Sequence, residues 1–182
     1  TQQYRLNLQQ ERALRASLLK HVSLIQGPPG TGKTSVSVAI LSLNKDTHGF
    51  VSASAQTNLA IDELGARLVS GEVEVVRYGN WRKIGEKHSS DILPRSVDYQ
   101  VHCQLQHLSN GGKAWRRERT NIYRQMLEKE TCVHIGSLDS FGVGPVLQDL
   151  RYAISLVDES GQATEASILP IASSCERLCL VG

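Results

Sequence analysis

Short runs of apolar residues alternate along the chain with longer segments in which apolar residues recur every three or four positions. The apolar runs predict strands at residues 21–26, 50–54, 73–78, 132–137, 153–157 and 178–181. The periodic segments predict helices at residues 8–20, 33–43, 58–69 and 163–173. Because strands and helices alternate and the strands are short and apolar, the pattern predicts an α/β domain with a mostly parallel sheet covered on both faces.

The stretch from about Trp81 to Lys129 interrupts this alternation. Its first part carries apolar residues at helical spacing, at Val97, Val101, Leu105 and Leu108. After a turn predicted at residues 110–112, a second helical face consists of Trp115, Arg119, Ile122 and Met126. The pattern therefore predicts a helical hairpin inserted at about residues 81–130, with Trp115 in its core, and it assigns no place to Trp81.

A glycine-rich loop after the first predicted strand carries the clearest chemical signal. Residues 27–34 read Gly-Pro-Pro-Gly-Thr-Gly-Lys-Thr, which matches the phosphate-binding pattern G-x-x-x-x-G-K-[ST] between a strand and a helix. The glycines let the backbone wrap a phosphate with its N–H groups inward, Lys33 brings a positive charge to the β- and γ-phosphates, and the Thr34 hydroxyl is suited to ligate Mg²⁺. The loop therefore predicts a bound nucleoside triphosphate rather than a plain glycine-proline turn.

Two adjacent carboxylates, Asp158 and Glu159, follow the strand predicted at residues 153–157. At that end of a parallel strand Asp158 lies near the phosphate-binding loop and can hold Mg²⁺ through water, while Glu159 can orient and deprotonate an attacking water. Alone, such a pair more often marks the charged N-terminus of a helix. Together with the loop upstream, it predicts a site that hydrolyses the triphosphate.

Composition indicates the class of protein and identifies no further candidate site. With 182 residues, 40% of them hydrophobic and 21% charged, the chain has the size of one globular domain. It contains no 18-residue apolar stretch and no basic-then-apolar leader, so we expect an intracellular protein of the cytoplasm or nucleus with no membrane partner. The four cysteines form no C-x-x-C pair, and a net charge of +2 does not by itself indicate a polyanionic partner.

Four segments together resemble superfamily 1 helicases, in the branch that contains the nonsense-mediated-decay helicase and senataxin. They are Leu6-Asn7-x-x-Gln10-x-x-Ala13, the strand and loop from Ser23 to Thr34, Ser54-Ala55-Gln56-Thr57-Asn58-x-Ala60-x-Asp62, and Asp158-Glu159-Ser160-Gly161-Gln162-Ala163-Thr164-Glu165. The resemblance covers residues 6–182 and is thin between 81 and 130. AAA+ ring ATPases share the loop sequence but lack the upstream glutamine element and the extension after Glu159.

The resemblance implies a RecA-like P-loop NTPase domain that uses ATP and Mg²⁺. Gln10 corresponds to the glutamine with which the family reads the adenine edge, and a carboxamide can both donate to and accept from adenine; an exposed polar helix residue is the alternative. The residues expected to bind the nucleotide are Gln10, Gly27, Pro28, Pro29, Gly30, Thr31, Gly32, Lys33, Thr34 and Gln162. The expected catalytic residues are Lys33, Asp158 and Glu159, and the expected metal ligands are Thr34 and Asp158.

The resemblance also implies single-stranded RNA or DNA as a partner. Thr57 and Asn58 correspond to positions that touch the phosphate backbone, with a helix cap as the rival role for Asn58, and Ser137 stands where the family usually has a threonine. On the second hairpin helix a basic stripe lies opposite Trp115, formed by Lys113, Arg116, Arg117 and Arg124. Because the family has an inserted helical element near the side where the strand enters, this basic stripe either follows phosphates or is a solvated helix face.

The chain departs from the family at its end. It stops at Leu180-Val181-Gly182, where the family continues with Asp-x-x-Gln-Leu and later a second RecA-like domain that carries arginine fingers. We therefore expect residues 1–182 to be a fragment with weak ATP binding and negligible turnover on its own. The leading hypothesis is the first motor domain of an ATP-dependent helicase or translocase. The alternative is a non-translocating ATP-binding switch or interaction module, against which the retained Glu159 argues.

Overall fold

A computed structural model of the protein describes residues 5–45, 50–108, 110–127, 132–143 and 150–182. The strands in chain order are β1 (Val22–Ile25), β2 (Phe50–Ala55), β3 (Val75–Tyr78), β4 (Val133–Ser137), β5 (Tyr152–Asp158) and β6 (Leu178–Val181). They form one six-stranded sheet in the order β1-β6-β5-β2-β4-β3, and every pair of neighbours is parallel. The predicted parallel α/β architecture is confirmed, and each predicted strand begins and ends within two residues of an observed one.

Helices cover both faces of this sheet. In chain order they are α1 (Leu8–Leu19), α2 (Lys33–Asn44), α3 (Asn58–Ser70), α4 (Ser89–Ile92), α5 (Val97–Gln104), α6 (Lys113–Leu127), α7 (Leu138–Val143) and α8 (Glu165–Ser173). The predicted helices outside the insertion are confirmed, although α8 begins later than expected because Thr164 caps it, accepting a hydrogen bond from the Ser167 N–H. Within the described ranges, no helix is both long and apolar enough to span a membrane.

Two clusters of buried apolar side chains stabilise the two faces. One cluster joins α1, α2 and α3 to the sheet, with Ile40 and Leu64 among its members. The other joins α5, α6 and α8 to the sheet, with Ile122 and Ile171 among its members. Neighbouring strand residues contribute to different clusters, because successive side chains of a strand point to opposite faces.

The carboxyl ends of the strands meet at one edge of the sheet, because all six strands are parallel. In the register Ala55 of β2 pairs with Asp158 of β5 on one side and with Ser137 of β4 on the other. The loops that follow these strands leave from the same edge, which is called the carboxyl edge below. This edge therefore carries the phosphate-binding loop, Thr57 and Asp158.

The insertion between β3 and β4 contains the predicted hairpin, in which α5 and α6 bury Val101 and Ile122 in one cluster. The pattern did not predict α4 in the insertion or α7 after β4. These helices are four and six residues long, which is too short for a helical periodicity to be recognised. The predicted end of the insertion, at residues 128–130, lies outside the described residues.

Candidate nucleotide and nucleic-acid sites

The phosphate-binding loop joins β1 to α2 through two glycines in the left-handed region of the backbone. Gly30 has a φ of +79° and Gly32 has a φ of +81°, conformations that a residue with a Cβ rarely adopts. Directly after Gly32, α2 begins, and no side chain among the described residues caps its first turn. Uncapped N–H groups at a helix N-terminus, together with the helix dipole, attract a phosphate.

Lys33 is held against the loop by backbone carbonyls. Its Nζ donates hydrogen bonds to the carbonyl oxygens of Gly27 at 2.6 Å and Pro28 at 3.2 Å. The Thr31 hydroxyl donates to the same Pro28 carbonyl at 2.8 Å, while Pro29 is exposed. Because an ammonium group has three donors, Lys33 keeps one for a phosphate oxygen while these two bonds persist.

Gln10, the residue predicted to read adenine, connects α1 to the phosphate-binding loop. Its Oε1 accepts from the Asn7 N–H at 2.9 Å within a capping box, and its Nε2 donates to the Thr31 carbonyl at 3.0 Å. A Cβ on Gly32 would lie 2.5 Å from this Nε2. The side chain is therefore fixed at both ends, and a carboxamide still offers one further donor and one further acceptor.

A cleft of about 440 Å³ opens beside these residues. Gln10, Gly27, Thr31 and Lys33 line it together with apolar side chains such as Ala13. Its size is within the range of small-molecule binding sites. The predicted adenine-reading group and the predicted phosphate-binding groups therefore share one concave surface.

Asp158 ends β5, and Glu159 leaves the strand with a φ of +51°, which is rare for a residue with a side chain. The Glu159 N–H donates to Asp158 Oδ1 at 3.0 Å. Burial raises the pKa of Asp158, while the Glu159 N–H and the charge of Lys33 oppose that rise. This influence of Lys33 on Asp158 agrees with their predicted meeting at one site, and backbone strain of this kind concentrates at functional sites. Gln162 lies exposed in the turn that follows.

Strand β6 links the two halves of the candidate nucleotide site. The Gly27 N–H donates to the Gly182 carbonyl at 3.1 Å, just beyond β6. The Ser160 hydroxyl, after β5, donates to the Val181 carbonyl at 3.0 Å. Since β6 lies between β1 and β5, these bonds connect the phosphate-binding loop with the segment that carries the paired carboxylates.

Thr34 and Asp158 are the residues that could ligate Mg²⁺. Both are half-buried, Thr34 in the first turn of α2 and Asp158 at the end of β5. In the part of the chain that the structure describes, no group of three or more His, Cys, Asp or Glu side chains is arranged to hold a metal. A hydroxyl and a carboxylate nevertheless fit Mg²⁺, which takes one or two protein ligands and fills its shell with phosphate oxygens and water.

Thr57 and Asn58 follow β2 at the carboxyl edge and have different local roles. Thr57 is the N-cap of α3, where its Oγ1 accepts from the Ala60 N–H at 3.2 Å. The rival role considered for Asn58, that of helix cap, is therefore wrong. Asn58 is the first residue of α3, and its Oδ1 accepts from Arg77 Nη2 at 2.8 Å. Its Nδ2 provides two donors of the kind that bind phosphate oxygens.

Arg77 is a buried cation that the sequence analysis did not single out. It lies in β3, pairs with Asp62 at 3.1 Å, and donates to the Tyr78 carbonyl at 2.8 Å. Burial raises the pKa of the Asp62 carboxyl, and the charge of Arg77 opposes the rise. A charged residue inside the apolar run at 73–78 was the available signal, because arginine is almost never fully buried unless it is paired.

Ser137 ends β4 and lies between the other two strand ends. Its Oγ is 2.8 Å from the Oγ of Ser140, so the hydroxyl predicted to contact a phosphate is paired with a second hydroxyl. A Cβ on Gly79 would collide with the Ser140 Oγ, because the end of β3 approaches closely. The structure thus brings Ser137 to the same edge as Thr57 and Asn58.

The basic stripe lies on α6, and all four of its residues are exposed. Exposed side chains agree with both interpretations of the basic stripe, namely contact with phosphates and a solvated helix face. Trp115 is half-buried and packs against the cluster that contains Val101 and Ile122, as predicted. Arg119 belongs to the same face because its guanidinium lies over the ring of Trp115, at 5.5 Å, and of Tyr123, at 5.1 Å.

Comparison with known proteins finds relatives along almost the whole chain. A family model described as "AAA domain" matches residues 5–134. "Regulator of nonsense transcripts 1" of Caenorhabditis elegans is 33% identical over 193 residues, which cover 97% of this chain and 18% of that protein. "ATP-dependent helicase upf1" of Schizosaccharomyces pombe is 28% identical over 198 residues, which cover 98% of this chain and 21% of that protein. The chain therefore spans about a fifth of the length of these relatives.

Among solved structures, the UvsW helicase from bacteriophage T4 is similar with a TM-score of 0.61 and 12% identity. The similarity covers 96% of this chain and 51% of that one. At this level of identity the likeness concerns the fold, and it confirms the RecA-like architecture expected from the sequence.

Proposed function

The chain belongs to the family described as "AAA domain" and to the superfamily 1 helicases of the nonsense-mediated-decay branch, and we propose that it is the first motor domain of an ATP-dependent helicase or translocase. The domain binds ATP and couples its hydrolysis to movement on single-stranded RNA or DNA. Movement is an activity of the whole protein, since this chain spans about a fifth of its relatives. The expected place of action is the cytoplasm or nucleus.

One observation carries the proposal: the phosphate-binding loop and the Asp158-Glu159 pair meet at one edge of the sheet. β6 separates their strands, and hydrogen bonds at the end of β6 reach both segments. The charge of Lys33 acts on the carboxyl of Asp158. A cradle for phosphates beside a half-buried carboxylate pair is the arrangement that phosphoryl transfer to water requires.

Each residue has a separate task in this site. Lys33 and the first-turn N–H groups of α2 hold the phosphates, and Gln10 selects adenine. Thr34 and Asp158 hold Mg²⁺, which neutralises charge on the phosphates when it is bound. Glu159 orients the attacking water and accepts its proton.

The nucleic-acid contacts lie further along the same edge, beyond β5. Thr57, Asn58 and Ser137 follow β2 and β4 and present hydroxyl and amide groups of the kind that bind phosphate oxygens. Contacts to phosphates carry no sequence information, which suits an enzyme that moves along a strand of any sequence.

The test compares the whole protein that contains this chain with its Lys33→Ala and Glu159→Gln variants, and with Glu176→Gln as the matched control at an exposed carboxylate. We expect Lys33→Ala to lose ATP binding. Glu159→Gln should bind ATP at the parental affinity and lose turnover by about 10²–10⁴-fold, the contribution typical of a general base. Glu176→Gln should behave as the parent.

Turnover and strand binding are measured together, with and without a single-stranded oligonucleotide. Parental turnover in Glu159→Gln contradicts the assigned base. ATP binding with neither strand binding nor stimulation of turnover by the oligonucleotide favours the non-translocating switch instead.

A further inference from the structure

A second and larger cleft lies at the opposite end of the carboxyl edge from the phosphate-binding loop, and the proposed ATP chemistry does not use it. It measures about 650 Å³ and opens between the segment after β3 and the hairpin helices α5 and α6. Its lining combines aromatic, cationic and amide side chains, among them Asn80, Trp81, Arg82, Gln106, Trp115 and Arg119. It is called the tryptophan cleft below.

Trp81, to which the sequence pattern assigned no place, organises one wall of this cleft. The ring of His102 stacks on it with 5.1 Å between centroids and 29° between planes. The guanidinium of Arg82 lies 4.7 Å from the centroid of the indole. Trp81 is half-buried, whereas His102 and Arg82 are exposed, so this stack of flat groups borders solvent.

Trp115 and Arg119, both on α6, contribute a second aromatic and cationic pair. The guanidinium of Arg119 is held over Trp115 and Tyr123, and the Tyr123 hydroxyl donates to Asp98 Oδ1 at 2.6 Å. Asp98 also lines the cleft. Two guanidinium groups face one carboxylate that already accepts a hydrogen bond, so the cleft carries a positive charge.

The position of the cleft follows from the order of strands in the sheet. β2, β4 and β3 are neighbours, and Asn58, Ser137 and Trp81 lie at or just after their carboxyl ends. A strand of nucleic acid that runs along this edge past Asn58 and Ser137 reaches the tryptophan cleft next. The basic stripe is on α6 as well, the helix that carries Trp115.

We propose that the tryptophan cleft binds one unstacked nucleobase of the single strand, and so adds a base-stacking subsite to the backbone contacts of the proposed function, on which it rests. Indole rings and guanidinium planes are the groups on which proteins stack splayed bases. The amide side chains of Asn80 and Gln106 supply donors and acceptors for base edges. Because every base has a π-face, the subsite accepts all bases.

The test uses the intrinsic fluorescence of the protein, because Trp81 and Trp115 are the two tryptophans of the sequence and both line the cleft. The protein is titrated with oligouridylate and with an abasic oligonucleotide of the same length. Tryptophan emission reports stacking, and the anisotropy of a terminal label reports binding. We expect oligouridylate to quench the emission, the abasic strand to leave it unchanged, and the affinities to differ by roughly 5- to 150-fold.

Two variants test whether Trp81 provides the stacking surface. Trp81→Ala should remove most of the difference between the two oligonucleotides, and Trp81→Phe, which keeps an aromatic ring, should retain most of it. If circular dichroism shows that Trp81→Ala is unfolded, Arg82→Ala replaces it, since that side chain is exposed and should reduce the same difference.

The outcomes separate the subsite from the proposed function. Equal affinity for both strands with unchanged emission overturns the subsite and leaves backbone binding intact. Absence of binding to either strand overturns the proposed function, and the subsite with it.

Discussion

The Arg77 guanidinium donates a hydrogen bond to the side chain of Asn58, with 2.8 Å between Nη2 and Oδ1. The same guanidinium pairs with Asp62 at 3.1 Å, and neither charged side chain has exposed surface. The first residue of α3, a proposed contact to the nucleic-acid backbone, is therefore positioned by an ion pair in the interior.

Removal of one member of this ion pair should be more destabilising than removal of both. Arg77→Met leaves the Asp62 carboxyl buried without its partner, which we expect to lower the free energy of unfolding by about 3–5 kcal/mol. Asp62→Leu combined with Arg77→Met should lose markedly less, because no charge is left in the interior. Urea denaturation at pH 7 measures both values, and a double variant less stable than Arg77→Met would contradict the prediction.

Gly32 should be less tolerant of a side chain than Gly30, although both have a positive φ. Alanine at either position adds about 1–2 kcal/mol of backbone strain. At Gly32 the new Cβ also meets Gln10 Nε2 at 2.5 Å, whereas at Gly30 it meets no described atom within 4 Å. We therefore expect Gly32→Ala to displace Gln10 from the Thr31 carbonyl and to weaken ATP binding more than Gly30→Ala does.

The comparison is completed in a Gln10→Ala background, where the collision is absent. There the two glycine substitutions should lower the ATP affinity by the same factor. A double-mutant cycle of Gln10→Ala and Gly32→Ala should then show a coupling energy of about 0.5–3 kcal/mol between the two positions. Additive effects in titration calorimetry would mean that Gln10 does not support the loop.

The basic stripe should contribute to the salt dependence of strand binding. Arg116→Glu with Arg117→Glu should weaken binding and lower the slope of log affinity against log salt by about 1.4, or roughly 0.7 for each lost phosphate contact. Arg15→Glu with Lys20→Glu makes the same charge change at exposed positions of the first helix and its cap. Anisotropy titrations over a range of salt concentrations measure the slope for each double variant. If the stripe variant and the control variant have equal slopes, the stripe is a solvated helix face.

Buried His134 should make the protein less stable in mild acid. Burial lowers the pKa of His134 to about 3, whereas the unfolded chain binds this proton near pH 6.5. Below pH 6.5 the unfolded state therefore holds one more proton than the native state, and stability falls until about pH 3. By pH 4.5 this histidine alone should cost about 2–3 kcal/mol relative to pH 7.

The control for this effect is a histidine in solvent. His134→Leu should flatten the dependence of the unfolding free energy on pH between 6.5 and 4.5, and His107→Leu, at an exposed position, should leave it as in the parent. Chemical denaturation at a series of pH values measures the slopes. A parental slope in His134→Leu would show that other groups dominate the acid response.

The order of strands and helices could be predicted from the sequence because it is encoded locally. Periodicity and the eight-residue loop pattern depend on neighbours in the chain, and so the fold class and the positions of Lys33 and Asp158 followed directly. The partners of Asn58 could not be predicted in this way. Arg77 is nineteen positions away in sequence, and only the packing of α3 on the sheet brings the two side chains together.

Trp81 shows the same limit of prediction from sequence, here for a feature of the surface. Its neighbours show no helical or strand period, because Trp81 lies in a short turn after β3. Periodicity therefore places it neither on a helix face nor in a strand. Its contacts come from α5, and the cleft it lines is completed by α6. A cleft built from three separate segments has no signature in a single window of sequence.

The pairing of Ala55 with Asp158 has a mechanical consequence. One rung of the parallel ladder joins the proposed metal ligand to the strand whose end leads, two residues later, into Thr57. Only Gln56 lies between the end of β2 and Thr57, so the proposed ATP site and the proposed nucleic-acid contact are joined by one rung of the sheet and a two-residue connection. We therefore expect the two proposed sites to keep their spacing within this domain when it changes position relative to another domain.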